Sequence, residues 1–197
     1  LLGVGARHKW RYSSVRLNET SRMKRPRPPH IYVDNADYFL TMATYEHHSL
    51  FDTDEKKWLL KTALDHAVNT SGYFLHGWVI LCSHLHVLIR ITLGATLPGF
   101  VSRITGKSGI ELNKLDGKPG RRVWYQYWDR CVRNESDFYV RLNYIHQNCV
   151  KHGYVDDMSL YLFSSYREYV ERHGQKWVDE CFRMYPVVDF APEEGLE

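Results

Sequence analysis

Between residues 35 and 155 the chain switches repeatedly between two hydrophobic periods. Tyr38-Phe39-Leu40-Thr41-Met42-Ala43-Thr44-Tyr45 is rich in aromatic and β-favouring residues and predicts a first strand. Thr53 then offers an N-cap, and Asp54 and Glu55 put negative charge in the first turn. Leu60, Ala63, Leu64 and Ala67 keep helical spacing until Gly72 closes the segment. Tyr73 to Leu81 predicts a second strand that leads through a short link at Cys82-Ser83 into the His84-Leu85-His86 strand, and so short a link makes the two antiparallel neighbours. Thr96 and Pro98 open a second helix with Phe100, Val101 and Ile104 on its core face, weakened in its far half by Gly106 and Gly109. Val123 to Trp128 alternates as a fourth strand. The order β-α-β-β-α-β is the ferredoxin-like, split βαβ plan of an α+β protein, an antiparallel sheet with both helices on one face and the other face free.

Asn134-Glu135-Ser136-Asp137 then caps a third helix, expected to run to Lys151 and stop at Gly153. At about 100° per residue, Phe138, Leu142, Ile145 and Cys149 form its core stripe. Arg141, Tyr144, Asn148 and Lys151 form a second stripe, on which Tyr144 and Asn148 are neighbours at i and i+4. Tyr139 lies about 140° round the helix from Tyr144 and cannot share its surroundings. Ser164-Ser165 opens one or two further helices reaching Tyr185, with Tyr166, Tyr169, Val170 and Trp177 as packing residues.

Composition narrows the class without naming it. At 197 residues and 44 % hydrophobic content, the chain can bury a core as one domain with tails. No apolar run approaches the ~20 residues of a membrane span. The cysteines at 82, 131, 149 and 181 lack any Cys-x-x-Cys spacing, so neither a zinc knuckle nor a disulfide framework is indicated, and a reducing, cytoplasmic setting is expected. Net charge is only +3, but its distribution is uneven. Arg7, Lys9, Arg11, Arg16, Arg22, Lys24, Arg25 and Arg27 make residues 1–34 a basic arm, in which Met23 is a candidate natural start, and Asp189 to Glu197 is acidic. Arg103, Lys107, Lys114, Lys118, Arg121 and Arg122 crowd the second helix and its following loop against only Glu111 and Asp116, a candidate nucleic-acid contact.

The candidate chemistry lies in Cys82-Ser83-His84-Leu85-His86-Val87-Leu88-Ile89-Arg90. In a strand, His84 and His86 share one face, with Cα atoms roughly 6.6 Å apart, and their imidazoles can lean onto one divalent ion. Equally, two such histidines can be core residues with hydrogen-bond partners, and a metal site needs a third ligand from elsewhere. Leu88 stands where a metallo-β-lactamase-like site wants Asp and a histidine-triad site wants His.

Taken together, the stretches resemble the single-tyrosine HUH transposases (histidine-hydrophobic-histidine), most closely the REP-associated tyrosine transposases. The resemblance rests on Gly77-Trp78-Val79-Ile80-Leu81 leading to His84-Leu85-His86-Val87-Leu88-Ile89, on Tyr144-Ile145-His146-Gln147-Asn148-Cys149-Val150-Lys151-His152-Gly153-Tyr154-Val155, and on Phe163-Ser164-Ser165-Tyr166-Arg167-Glu168-Tyr169. It spans about residues 35 to 172, with Cys82-Ser83 in place of the family's usual Pro-Asn and Cys149 in place of its Pro after the helix Asn.

The resemblance implies an HUH endonuclease core at 35–155 with an added catalytic-tyrosine helix, and a C-terminal helical extension with an acidic tail at 156–197. It implies Mg²⁺ or Mn²⁺ held by His84, His86 and the Asn148 side-chain oxygen, and Tyr144 as the nucleophile on a scissile phosphate. A phenol is a weak nucleophile at neutral pH, so the phosphate must be made electrophilic. The implied reaction is cleavage and rejoining of single-stranded DNA beside REP-like hairpins through a 5′-phosphotyrosyl intermediate. Arg141 and Lys151, flanking Tyr144, join the basic cluster as expected DNA contacts, and a homodimer is a further possibility. Two readings of other classes stand beside it: a domesticated, non-cleaving DNA-binding module, and a metal-dependent nuclease that uses water.

Overall fold

The computed structural model describes residues 32–188; the basic residues from Arg7 to Arg27 and the acidic tail from Asp189 lie outside them. Strand β1 (Ala36–Thr44) is followed by a 3-10 turn (Tyr45–His47), helix α1 (Asp54–Ser71), β2 (Phe74–Ile80), β3 (His84–Ile91), α2 (Leu97–Leu115) and β4 (Trp124–Cys131). Then come α3 (Glu135–Lys151), α4 (Tyr166–His173) and α5 (Gln175–Met184). The sheet has the order β2-β3-β1-β4 with every neighbouring pair antiparallel, which is the ferredoxin-like arrangement expected.

Local signals set the helix ends. Thr53 Oγ1 accepts from Lys56 N at 3.3 Å, and Gly72 at φ 65° ends α1 in the left-handed conformation that glycine adopts without steric cost. Asn134 Oδ1 accepts from Asp137 N at 2.9 Å to start α3. Thr96, by contrast, makes no side-chain cap for α2, which starts from a preceding turn instead. Gly106 and Gly109 do not interrupt α2; a Cβ at Gly109 would stand in ordinary contact with Val123 and Trp124, so this side of the helix faces the start of β4.

Each sheet face has its own cover. Leu85, Val87 and Ile89 of β3 are fully buried with Leu60 and Leu64 of α1 and Phe100 and Ile104 of α2 in the main core. The second face is not free as expected, because α3 lies over its β2–β3 half. The reason is visible at Gly77 of β2, where a Cβ would stand 2.8 Å from Leu142 Cδ1. The bare backbone there lets Leu142, Ile145 and Cys149 of α3 settle into the core, while Phe138 is only half-buried.

The C-terminal helices clamp α3 and the edge of β2. Ser165 N donates to Trp78 O and Ile80 N to Phe163 O, each at 2.9 Å, so an extended segment before α4 covers the β2 edge. Ser165 Oγ accepts from Trp78 N at 3.0 Å and also meets His146 Nε2 at 3.1 Å, joining strand, helix and C-terminal segment at one hydroxyl. Asn143 Nδ2 donates to Cys181 O and Tyr185 O, which fixes α5 to α3.

Candidate active site

His84 and His86 enter the second face from β3, and α3 brings Tyr144 and Asn148 over them. In register, His86 sits opposite Thr41 and His84 opposite Ala43 of β1. The two imidazole centroids are 4.9 Å apart, closer than the roughly 6.6 Å that strand geometry sets between their Cα atoms, so the rings lean towards each other. His84 Nε2 lies 3.3 Å from Asn148 Oδ1. The Tyr144 ring stands edge-on to His86 at 5.3 Å and to Phe39 at 6.0 Å, while Phe39 stacks on His86 at 5.4 Å. Lys151 Nζ is 5.3 Å from the Tyr144 ring centre. Strand and helix periodicities therefore meet at one place.

The donor set fits a divalent cation. His86 pairs Nδ1 with Thr41 Oγ1 at 2.9 Å, and His84 pairs Nδ1 with Ser83 Oγ at 3.2 Å. In the tautomers that donate these Nδ1–H groups, each Nε2 presents a lone pair inward. His86 Nε2 is buried with no hydrogen-bond partner among the described residues, and so is Asn148 Nδ2. The lone pairs of His84 Nε2 and Asn148 Oδ1 then face each other; two ligand atoms of one octahedral ion stand about 3 Å apart, close to this separation. Burial and the neighbouring His152 hold His84 down to about 4, and burial holds His86 well below the ordinary imidazole range. Both rings are therefore neutral at pH 7, the form that ligates metal. No group of three or more His, Cys, Asp or Glu that could hold a metal ion occurs among the described residues; the Asn148 carboxamide oxygen is a further donor atom beside the histidine pair.

Other expected site residues are placed differently. Arg141 is buried, its Nε donating to Asp137 Oδ1 at 2.8 Å and its guanidinium over the Phe39 ring at 5.2 Å, so it supports the wall instead of presenting charge outward. Arg121 is tied to Asp116 at 2.7 Å and to Asn113, closing the loop after α2. Arg103, Lys107, Lys114, Lys118, Arg122 and Lys151 are exposed. Tyr139 packs on Tyr185 and Trp177, away from the histidines.

Sequence reading missed two contributors. His152, capping the C-terminal end of α3, stands 5.0 Å from His84 ring to ring. It extends the Tyr144–Asn148 row by another four residues, a spacing that could have flagged it. Thr41 could not have been found, because only strand pairing brings it to His86.

The fold and this site define an α+β protein in which a His-x-His strand is faced by a helix carrying tyrosine and asparagine. The chain is 24 % identical over 175 residues to the REP-associated tyrosine transposase of Escherichia coli (strain K12), an alignment covering 84 % of this chain and 94 % of that protein. Its fold matches the solved structure of a REP-associated tyrosine transposase bound to a REP hairpin, with a TM-score of 0.64, 21 % identity, and coverage of 75 % of this chain and 86 % of the other. No protein-family model matches. The resemblance read from the motifs thus extends along most of the chain, and the fold is that of the transposase structure. No helix among the described residues is long and apolar enough to cross a membrane.

Proposed function

We propose that the protein is a transposase-like strand transferase that cuts and rejoins single-stranded DNA beside hairpin elements through a covalent bond to Tyr144. The observation that carries this reading is the convergence of Tyr144 and Asn148, from one helix row, on the His84–His86 pair with its partnerless Nε2. The sequence similarity to the E. coli protein and the hairpin in the matching structure support the choice of DNA substrate.

His84, His86 and Asn148 would hold Mg²⁺ or Mn²⁺, which when bound supplies Lewis-acid polarisation of the scissile phosphate. Thr41 and Ser83 orient the two imidazoles. Phe39 and the His86 ring wall the Tyr144 ring, so its hydroxyl is presented without a conformational search. The Tyr144 oxygen attacks phosphorus and loses its proton to solvent. The bond to the 3′ oxygen breaks, and that oxygen leaves as a hydroxyl after taking a proton. The 5′ phosphate remains on Tyr144, and attack by a 3′ hydroxyl reverses the sequence, with no nucleotide hydrolysis required. Lys151, beside the ring, is placed to pair with a phosphate oxygen.

The test is a labelled single-stranded oligonucleotide bearing a REP-like hairpin, incubated with Mn²⁺ and run on a denaturing protein gel. Wild type should form a covalent adduct, and Tyr144→Phe should bind DNA but form none. Cutting by Tyr144→Phe without an adduct would make water the nucleophile. Binding with no cutting by wild type would make the chain a non-cleaving module.

A further inference from the structure

Beyond the reacting groups, the same end of the sheet carries an aromatic and cationic cluster that the proposed chemistry does not use. The Arg122 guanidinium lies over the Tyr45 ring at 4.5 Å and beside the Tyr125 ring at 5.5 Å, and the two rings are 6.3 Å apart. Arg122 Nε donates to Trp124 O at 3.2 Å, which holds the guanidinium plane in place. Tyr125 is 45 % exposed, so a ring beside a fixed guanidinium is open to a planar ligand.

Position ties this cluster to the histidines. Thr44 N donates to Ser83 O, the residue before His84, and Tyr45 N donates to Val123 O, the residue before β4, each at 2.8 Å. Tyr45 is thus two residues beyond Ala43, which pairs with His84. The chain turns there through Glu46 and His47, both at φ 52°, a left-handed conformation that costs non-glycine residues energy and recurs at ligand sites. Arg122 also lines a groove of about 770 Å³ along α2, together with Gly106, Gly109, Ile110 and Lys114. Lys114 and Arg122 at this groove, beside the exposed Tyr125 ring, give the combination that binds single strands, charge following the backbone and a ring stacking on a base.

We infer that Tyr45, Arg122 and Tyr125 form a base-stacking subsite for a nucleotide of the single strand, set at the sheet end where His84 enters the active site. This rests on the single-strand reading above and adds to it a contact with a base, where the basic cluster alone would reach only phosphates. The planar guanidinium matters for the stack as well as its charge, so lysine is not an equivalent replacement.

Binding in a Tyr144→Phe background with EDTA separates this inference from the cleavage chemistry. The probes are fluorescein-labelled dT12 and a 12-mer abasic strand of equal charge, followed by anisotropy. The parent should prefer dT12 about tenfold or more. Arg122→Lys and Tyr125→Leu should each weaken dT12 about 5- to 50-fold and leave the abasic strand nearly unchanged, with unaltered melting temperature. Parent-like dT12 binding by both variants, or equal losses on the two probes, would overturn the stacking subsite while leaving the cleavage reading standing. Failure of the parent to bind dT12 at all would likewise overturn the stacking subsite, whereas the cleavage reading stands or falls on the hairpin-bearing oligonucleotide.

Discussion

His146 shows how burial alone sets a residue's behaviour. It sits inside α3 against Ser165 Oγ, and burial holds its pKa down to about 3. The unfolded chain takes up a proton there near pH 6.5 and the folded one does not, so stability is full above that pH and is lost as pH falls towards 3. His84, held at about 4, acts in the same direction. Each contributes a loss of about 1.4 kcal/mol per pH unit inside its window. Urea unfolding of His146→Leu at pH 7.5 and 5 should therefore show a pH-dependent loss about 2 kcal/mol smaller than wild type; equal losses would mean that His146 is not buried in its neutral form. The metal site is tested at the same scale. His86→Ala should weaken Mn²⁺ binding sharply, whereas Asn148→Asp, which adds charge to the oxygen facing His84, should strengthen it. If the carboxamide only hydrogen-bonds to His84, Asn148→Asp will bind Mn²⁺ no better than wild type.

At the scale of elements, the seating of α3 on β2 decides where Tyr144 and Asn148 stand. A methyl at Gly77 would press on Leu142, which is 1 % exposed and has little room to turn. Gly77→Ala should cost about 1–3 kcal/mol by overpacking and lower adduct yield by lifting the helix. Leu142→Val removes the crowding carbon, so the double variant should be less destabilised than the sum of the singles in thermal melts. Strict additivity would show that the helix is not seated through this contact. The cap on α3 is independent of it: Asn134→Ala should cost about 1 kcal/mol and leave metal affinity unchanged.

For the whole molecule, the relevant question is which cations remain available to DNA. Arg121 and Lys56 both pair with Asp116, at 2.7 and 3.1 Å, and Lys56 also reaches Asp52, so this group joins the start of α1 to the loop after α2. Lys107 and Lys118 are exposed on the surface of α2 and its loop. Neutralising these two lysines should flatten the salt dependence of hairpin-DNA binding by up to about two units in log K against log salt. Arg121→Ala should instead show mainly as a lower melting temperature. A parent-like slope in the lysine pair would assign them to solvated surface only.

The chain order, the Thr53 and Asn134 caps and the Gly72 stop were legible in the sequence because they act between residues a few positions apart. So were the shared face of His84 and His86 and the shared row of Tyr144 and Asn148, which follow from the two backbone periods. The joining of strand to helix was foreshadowed only by family resemblance, since no local rule relates position 84 to position 148. Tertiary structure decided that α3 covers half of the face expected to be free, because the space above Gly77 is set by the sheet and not by the neighbours of Gly77 in sequence. It turned Arg141 inward, since a guanidinium four residues from Asp137 can be buried once both charges and the Phe39 ring are brought together. It also set Thr41 against His86 and Tyr45 against Arg122, pairs 45 and 77 residues apart that come together through strand register and the β1–β4 edge. Local periodicity orients a side chain relative to its own backbone; which surface it then meets depends on how strands and helices pack across the chain.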